Sequence, residues 1–270
     1  MRLGFFLYAM CCSMVVYSVQ SPQIMVIDPL GIIRPIYYEN IDGYAVVEGD
    51  ILIGSATQPY MLRSITHGLG GKRWLQGLVP FVVDENLPWQ SKMFLFEAMT
   101  LWQEKTNVKF IALNSKNKAH YPDYVRIEST PSHACLSEVG RQGGEQKIIL
   151  AQRCSKMSIA HELGHLLGLW HEHSRQDREL YIRVVWENIL IEHQSNFNQH
   201  ITDGNDHGPY DYDSIMHYSA YAFSKNGEKT LVPLKSESSL IGQRDHLSEG
   251  DIIAVNAMYT KDIPSPIRRR

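Results

Sequence analysis

Positive charge is not in excess in this 270-residue chain: the formal net charge is −3. With no basic surplus there is no general electrostatic reason to expect nucleic acid as a partner. The one basic cluster, Arg268-Arg269-Arg270, reads as a solvated tail. Long apolar runs are missing after the first eighteen residues, so no later segment is able to span a membrane. Internal repeats, low-complexity tracts and Asn-x-Ser/Thr acceptors are absent too. Cysteine is scarce, at four residues. Cys11 and Cys12 fall in the N-terminal apolar run, which leaves Cys135 and Cys154 for the body of the chain.

What remains is an ordinary folded composition, 44% hydrophobic and 20% charged, long enough for one or two domains. Arg2 followed by the uncharged run to Ser18 has the layout of a secretory signal, with cleavage after Ser18. A membrane anchor is the competing reading, but the run is about 16 residues where spanning needs roughly 20. Export makes Cys135 and Cys154 one disulfide rather than two buried thiols. Residues 19–71 carry Pro22, Pro29, Pro35 and Pro59 with no long periodic segment, which suits a lead-in better than a domain core. The boundary falls between Arg63 and Arg73, at a glycine-rich basic junction.

Organised structure is expected from there. Strands are read at residues 78–83, 108–112, 124–128, 136–139 and 147–150. A helix follows Pro88, with Phe94, Leu95, Ala98, Met99, Leu101 and Trp102 near helical spacing. Ser158 is read as the N-cap of a second helix through Leu167, ended by Gly168. Helical material is expected at 180–196 and a last helix at 248–259.

The second helix carries the chemistry. His161 and His165 are four residues apart, so both imidazoles leave one face a turn apart, as two nitrogens on one zinc ion require. His171 comes six residues later, and Gly168 can take the positive φ that turns the chain back towards the metal. Three histidines leave a fourth position open, which points to catalysis rather than a structural site. Glu162 points about 100° round the helix from His161. There its carboxylate can take a proton from a water on the zinc. His173, His193, His200, His207, His217 and His246 have no ligand spacing and read as surface or supporting residues.

HELGHLLGLWHEHSRQDRE, residues 161–179, extends HExxH to HExxHxxGxxH and then continues with Glu172, Arg175, Asp177 and Arg178. It resembles the astacin family of metzincin peptidases. It departs at Leu169, where the family usually has Phe, and at Glu179, where Asp is common. The segment ending Ser214-Ile215-Met216-His217-Tyr218 is similar to the family's Met-turn. Arg73–Pro80 and Ile241–Ser248 resemble its opening and closing segments.

The resemblance implies an α+β metzincin-like domain of two subdomains flanking a cleft, with a twisted, mostly antiparallel five-stranded-type sheet, a zinc helix and a Met-turn. It implies one zinc per chain, Met216 beneath it, and Tyr218 as a switchable ligand that later stabilises the oxyanion. Glu172 would pair indirectly with the new N-terminus. Val47-Glu48-Gly49-Asp50 resembles the pro-segment motif F-x-G-D with Val47 for Phe, so Asp50 would bind zinc in the latent form. The Cys135–Cys154 pair matches one family disulfide, while the second pair is missing, with Asn107 at one end and no cysteine after Tyr259. An extended peptide substrate would pair with an edge strand near residues 134–139. A preference for an acidic residue after the cut would need a basic reader, with Lys225, Lys229 and Lys235 as candidates.

The expected organisation is a signal at 1–18, a pro-segment at 19–71, a catalytic domain at 72–262 and a tail at 263–270. That is a secreted, monomeric zinc endopeptidase made as a zymogen, of bacterial single-domain type, without stable membrane association after signal cleavage. A different metzincin hydrolase, or a zinc-stabilised peptide-binding protein that does not cut, are the alternatives. Tyr218 argues against the first and Glu162 against the second.

Overall fold

The computed structural model describes residues 22–27, 33–59, 73–131, 133–200, 206–235 and 240–260. The proposed signal at 1–18, most of the junction before Arg73 and the tail at 263–270 lie outside them.

After residue 73 the chain builds β7 (Leu78–Val83), α1 (Trp89–Lys105), β8 (Lys109–Ala112), β9 (Tyr124–Thr130), β10 (Cys135–Ser137) and β11 (Glu145–Ala151). Then come α2 (Lys156–Leu167), the short pair β12 (Ile182–Val184) and β13 (Leu231–Pro233), and α3 (Glu249–Met258). Before it run β1 (Gln23–Ile27), β2 (Ile33–Tyr37), β3 (Glu39–Ile41), β4 (Tyr44–Val47), β5 (Ile51–Ser55) and β6 (Gln58–Pro59).

The two-layer upper half is explained by its apolar periodicity. Leu95, Ala98, Met99 and Trp102 of α1 and Ile159, Ala160, Leu163 and Leu166 of α2 are buried against Val79, Phe81, Val125, Ile127, Ile148 and Leu150 of the strands. The Trp102 indole N–H donates to the Ala160 carbonyl at 2.9 Å, so the large ring is buried without an orphaned donor. The lower half has few regular elements. Residues 178–197 form 3-10 turns around β12 instead of the expected helix. The β-branched residues Ile182 and Val184 pair there with Pro233 and Leu231 of β13.

Most strand pairs are antiparallel, as expected: six of the ten described. Within the five strands β7–β11, however, the β8-β7-β9-β11 run is parallel and only β10 is antiparallel to its neighbour β11. The crossover through α1 enforces this between β7 and β8, because a strand–helix–strand unit returns the chain in the same direction.

The lead-in is not the featureless segment that its prolines suggest. The order β3-β4-β5-β10-β11-β9-β7-β8 makes it an extension of the sheet. Side chains on β4 and β5 alternate between two apolar faces. Ala45, Val47, Ile51 and Ile53 pack with Val139, while Val46 and Leu52 pack with Leu136 and Ile149. These strands are short, and a two-residue period within four or five residues is too brief to stand out. β10 is therefore not an edge: β5 runs parallel to it with Ser137 opposite Ile51, and Ser137 N donates to Asp50 O at 3.0 Å. The extended partner expected on that strand is, in this chain, its own lead-in.

Two further details refine the sequence reading. Ser155, not Ser158, caps α2: its hydroxyl accepts from Ser158 N at 3.0 Å, so the helix starts almost one turn earlier. Cys135 and Cys154 form the expected disulfide, tying β10 to the entry of α2. In the chain-entropy model closure of a loop this size contributes roughly 3 kcal/mol.

Candidate metal centre

α2 sets His161 and His165 with ring centroids 4.7 Å apart. Gly168 then takes φ 108°, a left-handed conformation that favours glycine, and its N–H returns to the helix carbonyls. The turn delivers His171, with its ring 5.3 Å from His161 and 4.7 Å from His165. All three side chains are buried. Their outer nitrogens are committed. Nδ1–H of His161 donates to Ile215 O at 2.7 Å, that of His165 to Leu169 O at 2.8 Å, and that of His171 to the Glu48 carboxylate at 2.7 Å. The three Nε2 atoms therefore converge on one point, the orientation in which metal-ligating histidines are held by outer partners.

The fourth member is Asp50. Its carboxylate oxygens lie 3.2 Å from His161 Nε2, 3.5 Å from His165 Nε2 and 3.2 Å from His171 Nε2. The four ligand atoms are all within 4.8 Å of one another. His165 Nε2 and Asp50 Oδ1 thus face each other, and neither of these buried atoms has a hydrogen-bond partner. Acceptors gathered this way call for a cation between them. Three imidazoles and a carboxylate form a donor set that suits zinc.

The local electrostatics agree. Burial, helped by the Arg244 guanidinium, lowers His161 to about 3, and burial lowers His165, so both stay in the neutral, ligating form. Burial also opposes charge on His171, but the Asp50 and Glu48 carboxylates outweigh it and hold that ring at about 9. Asp50 is held well below the usual carboxylate range, against its burial, by the three histidines. Burial, with Asp50 nearby, pushes the Glu162 carboxyl well up, and a bound dication would pull it back down. Glu162 is buried beside His161, and its Oε2 has no partner.

The segment 214–218 packs against α2 and meets the His161 ring through the Ile215 carbonyl. Gly164 of α2 makes the approach possible: a Cβ there would lie 2.7 Å from Met216 Sδ. Asp251 of α3 fixes the turn, accepting from Ser214 Oγ at 2.6 Å and Ile215 N at 3.0 Å while also closing the capping box with Ser248. The Tyr218 ring lies 4.6 Å from that of His171, and its hydroxyl donates to the Glu48 carbonyl, away from the metal position.

The other histidines stay off the metal, though not all are superficial. His173 is fully buried, stacked on Tyr218 at 3.8 Å, and donates from Nε2 to Asn196 O at 2.9 Å. His217, also buried, donates to Tyr218 O and accepts from Tyr210 at 2.7 Å. Glu172 accepts from Asp211 N at 2.7 Å, and burial pushes its carboxyl up to about 8 despite Arg175 nearby. Arg175 forks onto Asp177, with both bonds 2.9 Å, and Arg178 donates to the His173 and Phe197 carbonyls. The charged tail of the histidine stretch thus pins the lower half. Lys235 lies over the Tyr181 ring, whereas Arg244, bonded to His217 O at 3.1 Å, acts on His161, Glu162 and Asp50.

A family model described as Astacin, a peptidase family, matches residues 66–260. Zinc metalloproteinase nas-4 of Caenorhabditis elegans is 37% identical over 222 residues, covering 78% of this chain and 68% of that protein. Astacin-like metalloendopeptidase of Mus musculus is 37% identical over 222 residues, covering 79% and 48%. Among solved structures, high choriolytic enzyme 1, a hatching-enzyme zinc protease from Oryzias latipes, superposes with a TM-score of 0.63 at 34% identity, covering 71% of this chain and 94% of that one. The chain spans roughly half to two thirds of the two curated relatives. With the three-histidine centre, the segment 214–218 packed against α2 and a family match from before β7 to the end of α3, the chain belongs to the astacin family of zinc metallopeptidases.

Proposed function

We propose that this protein is a secreted zinc endopeptidase held latent by residues 19–71 and active as residues 72–262. The observation that carries the reading is the Asp50 carboxylate among the three Nε2 atoms, while β5, from the same segment, lies along β10. One short stretch occupies both the metal's open position and the strand on which an extended peptide would pair. His161, His165 and His171 would hold one zinc, and Asp50 would add a ligand only in the unprocessed chain. When bound, zinc supplies Lewis acidity, polarising a carbonyl and making water ionisable near neutral pH.

The chain's own groups do the rest. Glu162 takes the proton of the attacking water and returns it to the leaving nitrogen. Tyr218, once freed from the Glu48 carbonyl, would be able to serve as a further ligand at rest and to donate its O–H to the carbonyl oxygen under attack. Met216 and Gly168 support the ligands. Glu172, buried with a raised pKa, takes the new N-terminus indirectly. Arg244, close to the site, is the cation to read an acidic residue after the cut. The apolar run after Arg2 supports export, and no helix among the described residues is long and apolar enough to cross a membrane. A monomer suffices, since all the residues named come from one chain.

The experiment compares full-length chain with chain cleaved near residue 72, both zinc-loaded, on casein or a fluorogenic peptide. Cleavage by the processed form, at a rate far above the full-length chain, is expected. Equal rates would remove latency, and no cleavage by the processed form would leave a peptide-binding protein.

A further inference from the structure

The three metal-facing histidines differ in what holds their outer nitrogens. His161 and His165 donate to the Ile215 and Leu169 carbonyls, which belong to the same body as the rings. His171 donates instead to a carboxylate, Glu48, which the lead-in supplies. Two ligands have permanent partners and the third has a removable one.

Glu48 is placed for this with unusual care. Its side chain is buried. Its N–H donates to Asn196 Oδ1 at 3.0 Å, its carbonyl accepts from Tyr218, and its second carboxylate oxygen accepts from His200. His200 is itself fixed, with its ring 3.9 Å from Trp170 and its N–H on Ser174 O at 2.8 Å. The backbone at Glu48 is left-handed, with φ 49°, and Gly49 follows at φ 78°. A glutamate is a poor choice for that conformation, where Asn or Gly would be less strained. A residue kept in a strained conformation points to a function for its side chain.

The geometry points to Glu48 as a positioning residue whose carboxylate orients His171 and strengthens its hold on zinc in the unprocessed chain. A carboxylate on Nδ1–H makes the opposite nitrogen a better donor to a metal and fixes the ring. Removal of the lead-in would then weaken the site twice, by loss of Asp50 as a ligand and by loss of the partner of His171. The inference rests on reading the cluster as a zinc site with a removable lead-in.

Zinc affinity is the test, measured on the full-length chain by competition with a chromophoric chelator. The measurement is made in an Asp50→Ala background, so that only the outer contact changes. Glu48→Gln should weaken zinc binding about tenfold or more, the usual cost of losing an outer-shell carboxylate. Glu48→Asn suits the left-handed backbone better but is too short to reach His171, so it should lose at least as much affinity. A merely structural turn residue would instead tolerate that change. If Glu48→Asn binds zinc as tightly as its parent, the proposal is overturned. Latency is judged separately: if Asp50→Ala leaves the full-length cleavage rate unchanged, the zymogen reading fails, while the zinc constants still decide the role of Glu48.

Discussion

Glu162→Gln should lower the turnover of the processed chain by roughly 10²- to 10⁴-fold, the range a positioned general base contributes. Zinc content should stay at that of the wild type, because Glu162 is not among the four converging groups. The carboxylate is buried next to His161 and its Oε2 has no partner within the protein. A structural role would leave such an oxygen satisfied. Glutamine keeps the size and polarity but cannot accept the proton, so KM should change little while kcat falls. The measurement is kcat and KM on a fluorogenic peptide, with metal content determined on the same samples. Retained turnover would remove Glu162 from the chemistry, and a parallel loss of zinc would make it a ligand support.

Asp50→Ala should raise the cleavage rate of the full-length chain by about ten- to a hundredfold. That range corresponds to losing one charged contact of about 1.5–3 kcal/mol. The release would be partial. β4 and β5 remain buried through Val46, Val47, Ile51, Leu52 and Ile53, and β5 still runs beside β10. The substrate's strand position therefore stays contested after the metal's open position is freed. Rates on a short peptide, which needs less of β10, should rise more than rates on casein. An unchanged rate on both substrates would mean that Asp50 is not a switch.

The metal centre was more legible in the sequence than the sheet around it. His161, His165, Gly168 and His171 lie within eleven residues, where helix geometry and one glycine turn decide which side chains meet. Their outer partners, Ile215, Leu169 and Glu48, include two that are far away along the chain, and backbone carbonyls leave no trace in side-chain pattern. Asp251 and Arg244 were hidden for a similar reason: each looks like an ordinary charged residue until the fold brings α3 and the segment before it under the Met-turn. Asp50 was suggested only by a four-residue resemblance, yet the structure places its carboxylate at the centre of the histidines. The strands of the lead-in were missed because prolines and glycines dominate the local signal, while the burial of Val46 and Ile51 comes from partners nearly a hundred residues on. Likewise α1, a long apolar-faced helix between β7 and β8, implied a crossover, but the parallel pairing it imposes is a property of the connection and not of either strand.

The most direct measurement is the rate of peptide-bond cleavage by the processed chain as zinc is removed with a chelator and then returned. Loss of cleavage on chelation and recovery near one zinc per chain is the predicted result. Cleavage that persists in metal-free protein, or zinc-loaded processed protein that binds peptide and never cuts it, would contradict the account.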